Sequence, residues 1–347
     1  MGIIMLTIFS HLSSLHTLPI HIEHARPRLL YRERIRTPVM STAKFIQPLG
    51  GEADSSKKPI LLFLPGIDGT GLAGVAGQWP RLSPLFDIWS MRLEPEDRSS
   101  FDSLADLIIT FIGQSAESSD VERRRVLIVG ESTGAVLALN VALRAAQLVD
   151  ALALINPATN FGVPATPFSG PPTLDRLLPA VAPLLPLLPR PVYEAAAPLV
   201  TPLFGKPGWF STLGGAQELP RSLPSPAEAL ATSRTLATVL PPGALEWRLR
   251  SLLSVGVRST NERLAATAGQ PPRWAASCLL LAGAEDRLLP SPAETRRLQQ
   301  ALPGAIRKAR TLARDPYHRD PVPGTPMPGT QYRDSPFLGS HPASPNA

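Results

Sequence analysis

The chain has 347 residues, 44% of them hydrophobic and 18% charged, enough for one large α/β domain or two smaller ones around a real core. Its 40 prolines are too many for a single compact fold, so part of the chain is expected to be irregular. The net charge of +6 belongs to the ends: residues 1–50 carry six Lys/Arg and two acids, residues 304–347 six and three, and the middle 22 and 23, which argues against a nucleic-acid groove.

Residues 1–56 do not read as a packed element. An apolar, hydroxyl-bearing start is followed by Arg26, Arg28, Arg32, Arg34 and Arg36, with only Glu23 and Glu33 as acids. Such a stretch fits an organelle transit peptide better than a secretory signal; a disordered or misassigned start is the competing reading. His11, His16, His21 and His24 also fall here, at no standard metal-ligand spacing.

The run Ile60-Leu-Leu-Phe-Leu64 has the length and continuous apolarity of a buried parallel strand. Pro65-Gly-Ile-Asp-Gly-Thr-Gly71 follows it. A glycine-rich loop on a strand end lets backbone N–H groups approach a reacting carbonyl closely, as an oxyanion hole requires. By position one donor is Ile67 N–H, with Asp68 the neighbouring choice. A phosphate loop would need a Lys-Ser/Thr pair or dinucleotide spacing, and neither is present. Phe86–Leu93 alternates as a strand, and Asp102–Ile112 has helical spacing.

Val126-Leu-Ile-Val-Gly130-Glu-Ser132-Thr-Gly134, with an Ala/Leu-rich run to Leu143, reads as strand, sharp turn and helix. Gly-x-Ser-x-Gly in that setting is a nucleophile elbow, with Ser132 at its tip and Thr133 N–H as the second oxyanion donor. Ala151–Ile155 is a further strand, and the alternation so far predicts a doubly wound, mostly parallel sheet. Residues 57–163 form its first half. From 164 to 242 the chain is apolar but broken by proline every few residues. That excludes a long helix or membrane span and suggests a cap over an apolar pocket; a solvent-facing linker is the alternative, and so many leucines argue against that exposure.

The core resumes over residues 243–318. Leu245–Leu253 is a candidate amphipathic helix, and Ser277–Gly283 is a strand containing Cys278, the single cysteine, read as buried and inert. Asp286 lies just past that strand, where a triad acid belongs, with Glu285 its rival. A helix over 292–302 and a strand over 306–313 follow. Asp315-Pro-Tyr-His318 then places His318 on a late loop, a better base than His341 in the Pro/Gly/Ser-rich tail of residues 319–347. The order Ser132, Asp286, His318 is that of α/β-hydrolases.

Together Leu64–Gly71, Val129–Gly134, Ile155-Asn-Pro-Ala-Thr159 and Gly283–Ser291 resemble the esterase/lipase/thioesterase-like proteins of plant and algal plastids, the phytyl ester synthase family, over about residues 57–318. The resemblance implies an α/β-hydrolase in plastids that moves an acyl group from a lipid or acyl thioester to phytol, diacylglycerol or water. It implies no metal or organic cofactor, and a lipid substrate is compatible with peripheral membrane association, plastoglobules and thylakoids included. The family pattern at the histidine is Asp-x-Gly-His before a leucine-rich helix; here Tyr317 replaces the glycine and a proline-rich run follows His318. The family's second, acyltransferase-like His-x4-Asp signature does not occur in the sequence, so only the hydrolase half is expected. A non-catalytic lipid-binding relative with an incomplete triad is the alternative.

Overall fold

The computed structural model describes residues 41–50, 57–70, 78–116, 123–162, 178, 182–189, 191–193, 237–267, 270, 272–283, 286 and 288–310. In chain order these hold β1 (Lys44–Ile46), β2 (Ile60–Leu64), α1 (Trp79–Leu82), β3 (Asp87–Arg92), α2 (Phe101–Ala116), β4 (Val126–Glu131), α3 (Thr133–Arg144) and β5 (Ala151–Ile155). After a 3₁₀ segment, Ala182–Leu187, come α4 (Pro242–Trp247), a π-helical segment (Arg248–Ser254), α5 (Val255–Ala266), β6 (Cys278–Gly283), α6 (Ser291–Ala301) and β7 (Ile306–Arg310).

The seven strands of the described residues form one sheet in the order β1-β3-β2-β4-β5-β6-β7. Only β1 runs antiparallel; every other neighbouring pair is parallel. β2, β4 and β5 are buried throughout, because helical crossovers cover parallel strands on both faces, and this is why they read as unbroken apolar runs. Alternate residues serve opposite sides. Ile60, Leu62 and Leu64 join Leu104, Ile108, Val136, Leu139, Leu253 and Leu280 in the larger core, while Leu61 and Phe63 pack with Trp79, Leu82, Val129 and Ala153 on the other face.

The sheet continues directly from β5 to β6, with Leu152 opposite Cys278 and Ile155 opposite Leu281, so the two core segments share one sheet across the intervening stretch. The strand order reverses around β2, which lies between β3 and β4. The crevice beyond the carboxyl ends of β2 and β4 is therefore the topological switch point, where open α/β sheets bind ligands.

Three expectations are revised. The first is that β1 lies within the stretch read as a leader: three residues are too few to show a period, and the segment is held from outside, Asp97 accepting from the Thr42 N–H at 2.8 Å and the Thr42 hydroxyl at 2.9 Å. The second is the helix expected over 245–253. It is part of a longer helical run that changes from α to π at Arg248 and back at Val255; a one-residue change of hydrogen-bond register leaves no mark in an apolar pattern. The third is the burial expected of the leucines in the proline-rich stretch. Leu184 and Leu187 are 57% and 76% exposed, whereas Ala182 is buried. The strand predicted over 306–313 is seen to Arg310, and residues 311–313 lie outside the described residues.

Cys278 is buried, and loss of solvent pushes its thiol up to about 12, as expected of an inert core cysteine. Trp274, 1% exposed, packs in the larger core and donates from Nε1 to Ala142 O at 2.9 Å, fastening the approach to β6 onto α3. Trp274→Ala should cost about 3–5 kcal/mol, from the lost transfer energy and the cavity left behind, read as a lower midpoint in urea unfolding.

Candidate active site

The turn between β4 and α3 is a backbone-to-backbone contact. A Cβ at Gly130 would stand 2.4 Å from Gly134 O, and one at Gly134 would stand 2.1 Å from Leu64 O and 2.4 Å from Pro65 O. No side chain fits either place. Ser132, between them, has φ 53° and ψ −114°, a backbone conformation that costs a non-glycine residue about 1–3 kcal/mol and persists only where its surroundings over-determine it. They do: Ser132 N–H donates to Ile155 O at 2.9 Å, and Ser132 O accepts from Ala135 N–H at 3.0 Å and Ala158 N–H at 3.4 Å. The serine is half-buried, on the N-terminus of a 12-residue helix whose dipole favours negative charge there.

Opposite lies the loop after β2. Gly66 through Gly69 form a turn closed by Gly69 N–H to Gly66 O at 3.0 Å. The Cβ position of Gly66 is 3.7 Å from Ser132 Cβ, so loop and elbow touch. Asp68 accepts from Thr70 N–H at 3.1 Å and from the Thr70 hydroxyl, and Gly69 O accepts from Leu93 N–H at 2.8 Å. A narrow cavity is lined by Gly66 and Ile67 from this loop, Thr133 from α3, Met91 and Leu93 from the β3 end, and Leu252. Ile67 and Thr133, the two expected oxyanion donors, thus share one cavity wall. Thr133 Oγ1 is buried there with no partner among the described residues.

Arg248 lies in the run expected to form an amphipathic helix. It is 2% exposed and donates to four carbonyls: Ile67 O at 2.9 Å and Asp68 O at 2.7 Å through one terminal nitrogen, Leu93 O at 3.1 Å and Glu94 O at 3.0 Å through the other. Burial lowers its pKa, and the carboxylates of Asp68 and Asp97 work against that shift; an arginine stays charged regardless.

Asp286 stands beyond β6 and is fixed from three directions. One carboxylate oxygen accepts from Leu288 N–H at 3.0 Å and Leu289 N–H at 3.1 Å, and the other from the Ser291 hydroxyl. Asn156 ties this corner to β5. Its φ is 45°, its N–H reaches Leu281 O at 2.8 Å, and its side-chain oxygen accepts Gly283 N–H at 2.7 Å. Farther along the same motif the Thr159 hydroxyl donates to Glu294 on α6, and Thr159 O accepts from Asn261 on α5 at 2.8 Å. The Asn-Pro-Ala-Thr run thus joins β5 to the elements that carry the acid. Glu285 and His318 lie outside the described residues.

Glu131, the residue before the serine, is buried, and its pKa is pushed up to about 8 by loss of solvent first and then by the charges of Asp68 and Asp286. The carboxylates of both loops therefore converge on the elbow. Sequence gave no sign of this, since a glutamate in a Gly-x-Ser-x-Gly turn is expected to face water. Among the described residues no His/Cys/Asp/Glu group could hold a metal.

This arrangement belongs to the α/β-hydrolase fold. Two solved α/β structures align at a TM-score of 0.50: MenH from S. aureus, at 17% identity over 78% of this chain and 90% of that one, and the enol-lactonase from Burkholderia xenovorans LB400, at 18% identity over 77% and 86%. No family model matches the chain. Phytyl ester synthase 2, chloroplastic, of Arabidopsis thaliana is 30% identical over 270 residues, 76% of this chain and 36% of that protein. Phytyl ester synthase 1, chloroplastic, of the same plant is 30% identical over 252 residues, 70% and 32%. The chain is a phytyl ester synthase-like α/β-hydrolase that spans about a third of the length of these curated relatives.

The buried Glu131 makes stability depend on pH with a defined sign. A raised folded pKa means that the fold holds the proton after the unfolded chain has released it, so stability is fully present below the ordinary glutamate range and is lost as pH rises toward 8. Between pH 5 and 8 wild type should lose up to about 1.4 kcal/mol per pH unit relative to Glu131→Gln, seen as converging urea midpoints or a crossing in favour of the variant.

Proposed function

We propose that the chain carries out serine-dependent acyl transfer on lipid esters through an acyl-enzyme. The observation that carries this reading is Ser132, held in a left-handed backbone conformation on a helix N-terminus and in contact with a glycine loop whose Ile67 lines the same cavity as Thr133. Ser132 Oγ attacks the acyl carbonyl carbon as His318 takes its proton, and Asp286 orients the imidazole. The oxygen, now negative, is held by the Ile67 and Thr133 N–H groups. Collapse of the tetrahedral intermediate expels the alcohol or thiol, which takes the proton back from His318 and leaves the acyl group on Ser132. A second alcohol or water, deprotonated by His318, then releases the acyl group as a new ester or an acid.

The apolar side chains in the cavity, Met91, Leu93, Phe101, Leu104 and Leu137, support an acyl chain as the group bound. The names of the relatives support phytol as acceptor and the plastid as location; diacylglycerol-type alcohols and water are the other acceptors. Leu184 and Leu187, exposed on the proline-rich segment, suit peripheral contact with a lipid surface, and among the described residues no helix is long and apolar enough to cross a membrane. We take residues 164–242 as the cap over this cavity and residues 319–347 as a tail outside the fold.

The test is labelling of the full chain by a fluorophosphonate, which reacts only with an activated serine. Wild type should label, while Ser132→Ala should not and His318→Ala should label at least about 10³-fold more slowly, the scale of triad removal. Asp286→Asn should slow labelling without abolishing it. Labelling that survives His318→Ala moves the base elsewhere. A folded wild type that does not label removes the enzymatic reading and supports a lipid-binding relative, which the Tyr317 and proline-rich departure around His318 would fit.

A further inference from the structure

We propose that Arg248 is the positioning residue of the oxyanion loop, fixing and polarising the peptide groups whose N–H groups face the reacting carbonyl. The proposal rests on the reading of Ile67 as an oxyanion donor.

A trans peptide is a rigid plane in which the C=O of one residue and the N–H of the next point in opposite directions. A bond to the oxygen therefore aims the hydrogen. Arg248 grips Ile67 O, which belongs to the same plane as Asp68 N–H. It also grips Asp68 O, in the plane of Gly69 N–H. Gly69 N–H in turn donates to Gly66 O, in the plane of Ile67 N–H. Both N–H groups that position made candidates for the oxyanion hole are thus reached from one cation, Asp68 N–H directly and Ile67 N–H through one intervening hydrogen bond. A charged donor on a carbonyl draws electron density from its peptide and strengthens the hydrogen that peptide donates, more so where water is excluded.

The loop is shaped to admit the guanidinium. Gly69 has φ 70°, and a Cβ there would stand 2.8 Å from an Arg248 terminal nitrogen and 2.9 Å from Leu93 Cβ. The other half of the fork holds Leu93 O and Glu94 O beyond β3, so the loop is referenced to the sheet. A lysine cannot reproduce this, because an ammonium is a point donor without the planar fork.

The experiment compares the full chain carrying Arg248→Met, Arg248→Lys and, as a control on the exposed arginine paired with Glu246, Arg250→Met. Three quantities are read: kcat and KM on a short-chain p-nitrophenyl ester, inhibition by an alkyl trifluoromethyl ketone whose adduct carries the oxyanion, and hydrogen exchange of the peptide over residues 66–70. Arg248→Met should lower kcat about 100-fold, the effect of misplacing a donor by about 1 Å, with KM within about threefold. Ketone affinity should fall in step with kcat, and loop exchange should rise while β4 stays protected. Arg248→Lys should recover about a tenth of the wild-type kcat, a point charge meeting part of the fork's contacts, and Arg250→Met should match wild type.

Arg248→Met with kcat within twofold of wild type overturns the proposal, as does unchanged exchange over 66–70, or a loss confined to KM. If circular dichroism shows Arg248→Met unfolded, Arg248→Lys decides by the same readouts. Wild type that neither turns over ester nor labels at Ser132 removes the proposed function, and loop exchange then decides on its own whether Arg248 holds the loop.

Discussion

The structure depends on one steric constraint, the contact of α3's first turn with the backbone leaving β2. Because Gly130 and Gly134 have no side chains, peptide groups meet peptide groups at that point. The helix N-terminus, the serine and the glycine loop are therefore gathered at the carboxyl ends of β2 and β4, with no side chain filling the gap. The loop-to-elbow contact, the shared cavity wall of Ile67 and Thr133, and the strained φ of Ser132 all follow from that approach. The conformational cost at Ser132 is met by β5, whose end ties down the serine N–H, so this serine is held by the sheet and not by its own loop.

Charge around this contact is unevenly distributed. Glu131, Asp68 and Asp286 bring three carboxyl groups toward the serine, and burial together with mutual repulsion keeps Glu131 protonated at neutral pH. Among the described residues Arg248 is buried against the glycine loop, where it donates to the carbonyls of Ile67, Asp68, Leu93 and Glu94. A neutral Glu131 limits the negative potential at the elbow. The loop is shaped by the Gly69 N–H to Gly66 O bond and by the hold of Arg248 on the Ile67 and Asp68 carbonyls.

The sheet was legible because buried parallel strands have nothing polar to place: Ile60–Leu64, Val126–Val129 and Ala151–Ile155 are apolar on both faces. The elbow was legible because its chemistry demands two glycines at fixed spacing. β1 was not legible, being three residues long and preceded by Thr42, which Asp97 holds from 55 positions away in the chain, a tertiary tie that no local pattern encodes. Arg248 was not legible for a different reason. An arginine between leucines in a helical run reads as a solvated face, and only the fold shows that this one points inward onto carbonyls from two loops. Asn156 belongs to a motif that resemblance alone singles out; its positive φ and its bond to Gly283 supply the physical reason for that motif.

The π-helical segment Arg248–Ser254 has a consequence for how this gene can change. Its wider turn holds an extra residue, and the Ser254 hydroxyl bonds to Leu249 O five positions back at 2.8 Å, closing part of the gap so created. The extra residue is absorbed within the wide turn, so Arg248 at its amino end and Val257 beyond its carboxyl end keep the phase of a regular helix one residue shorter. A residue gained or lost in the regular turns on either side has no such absorber, and it would rotate one flank against the other by about 100°. Length changes in this helix are therefore tolerable at the wide turn and nowhere else along it.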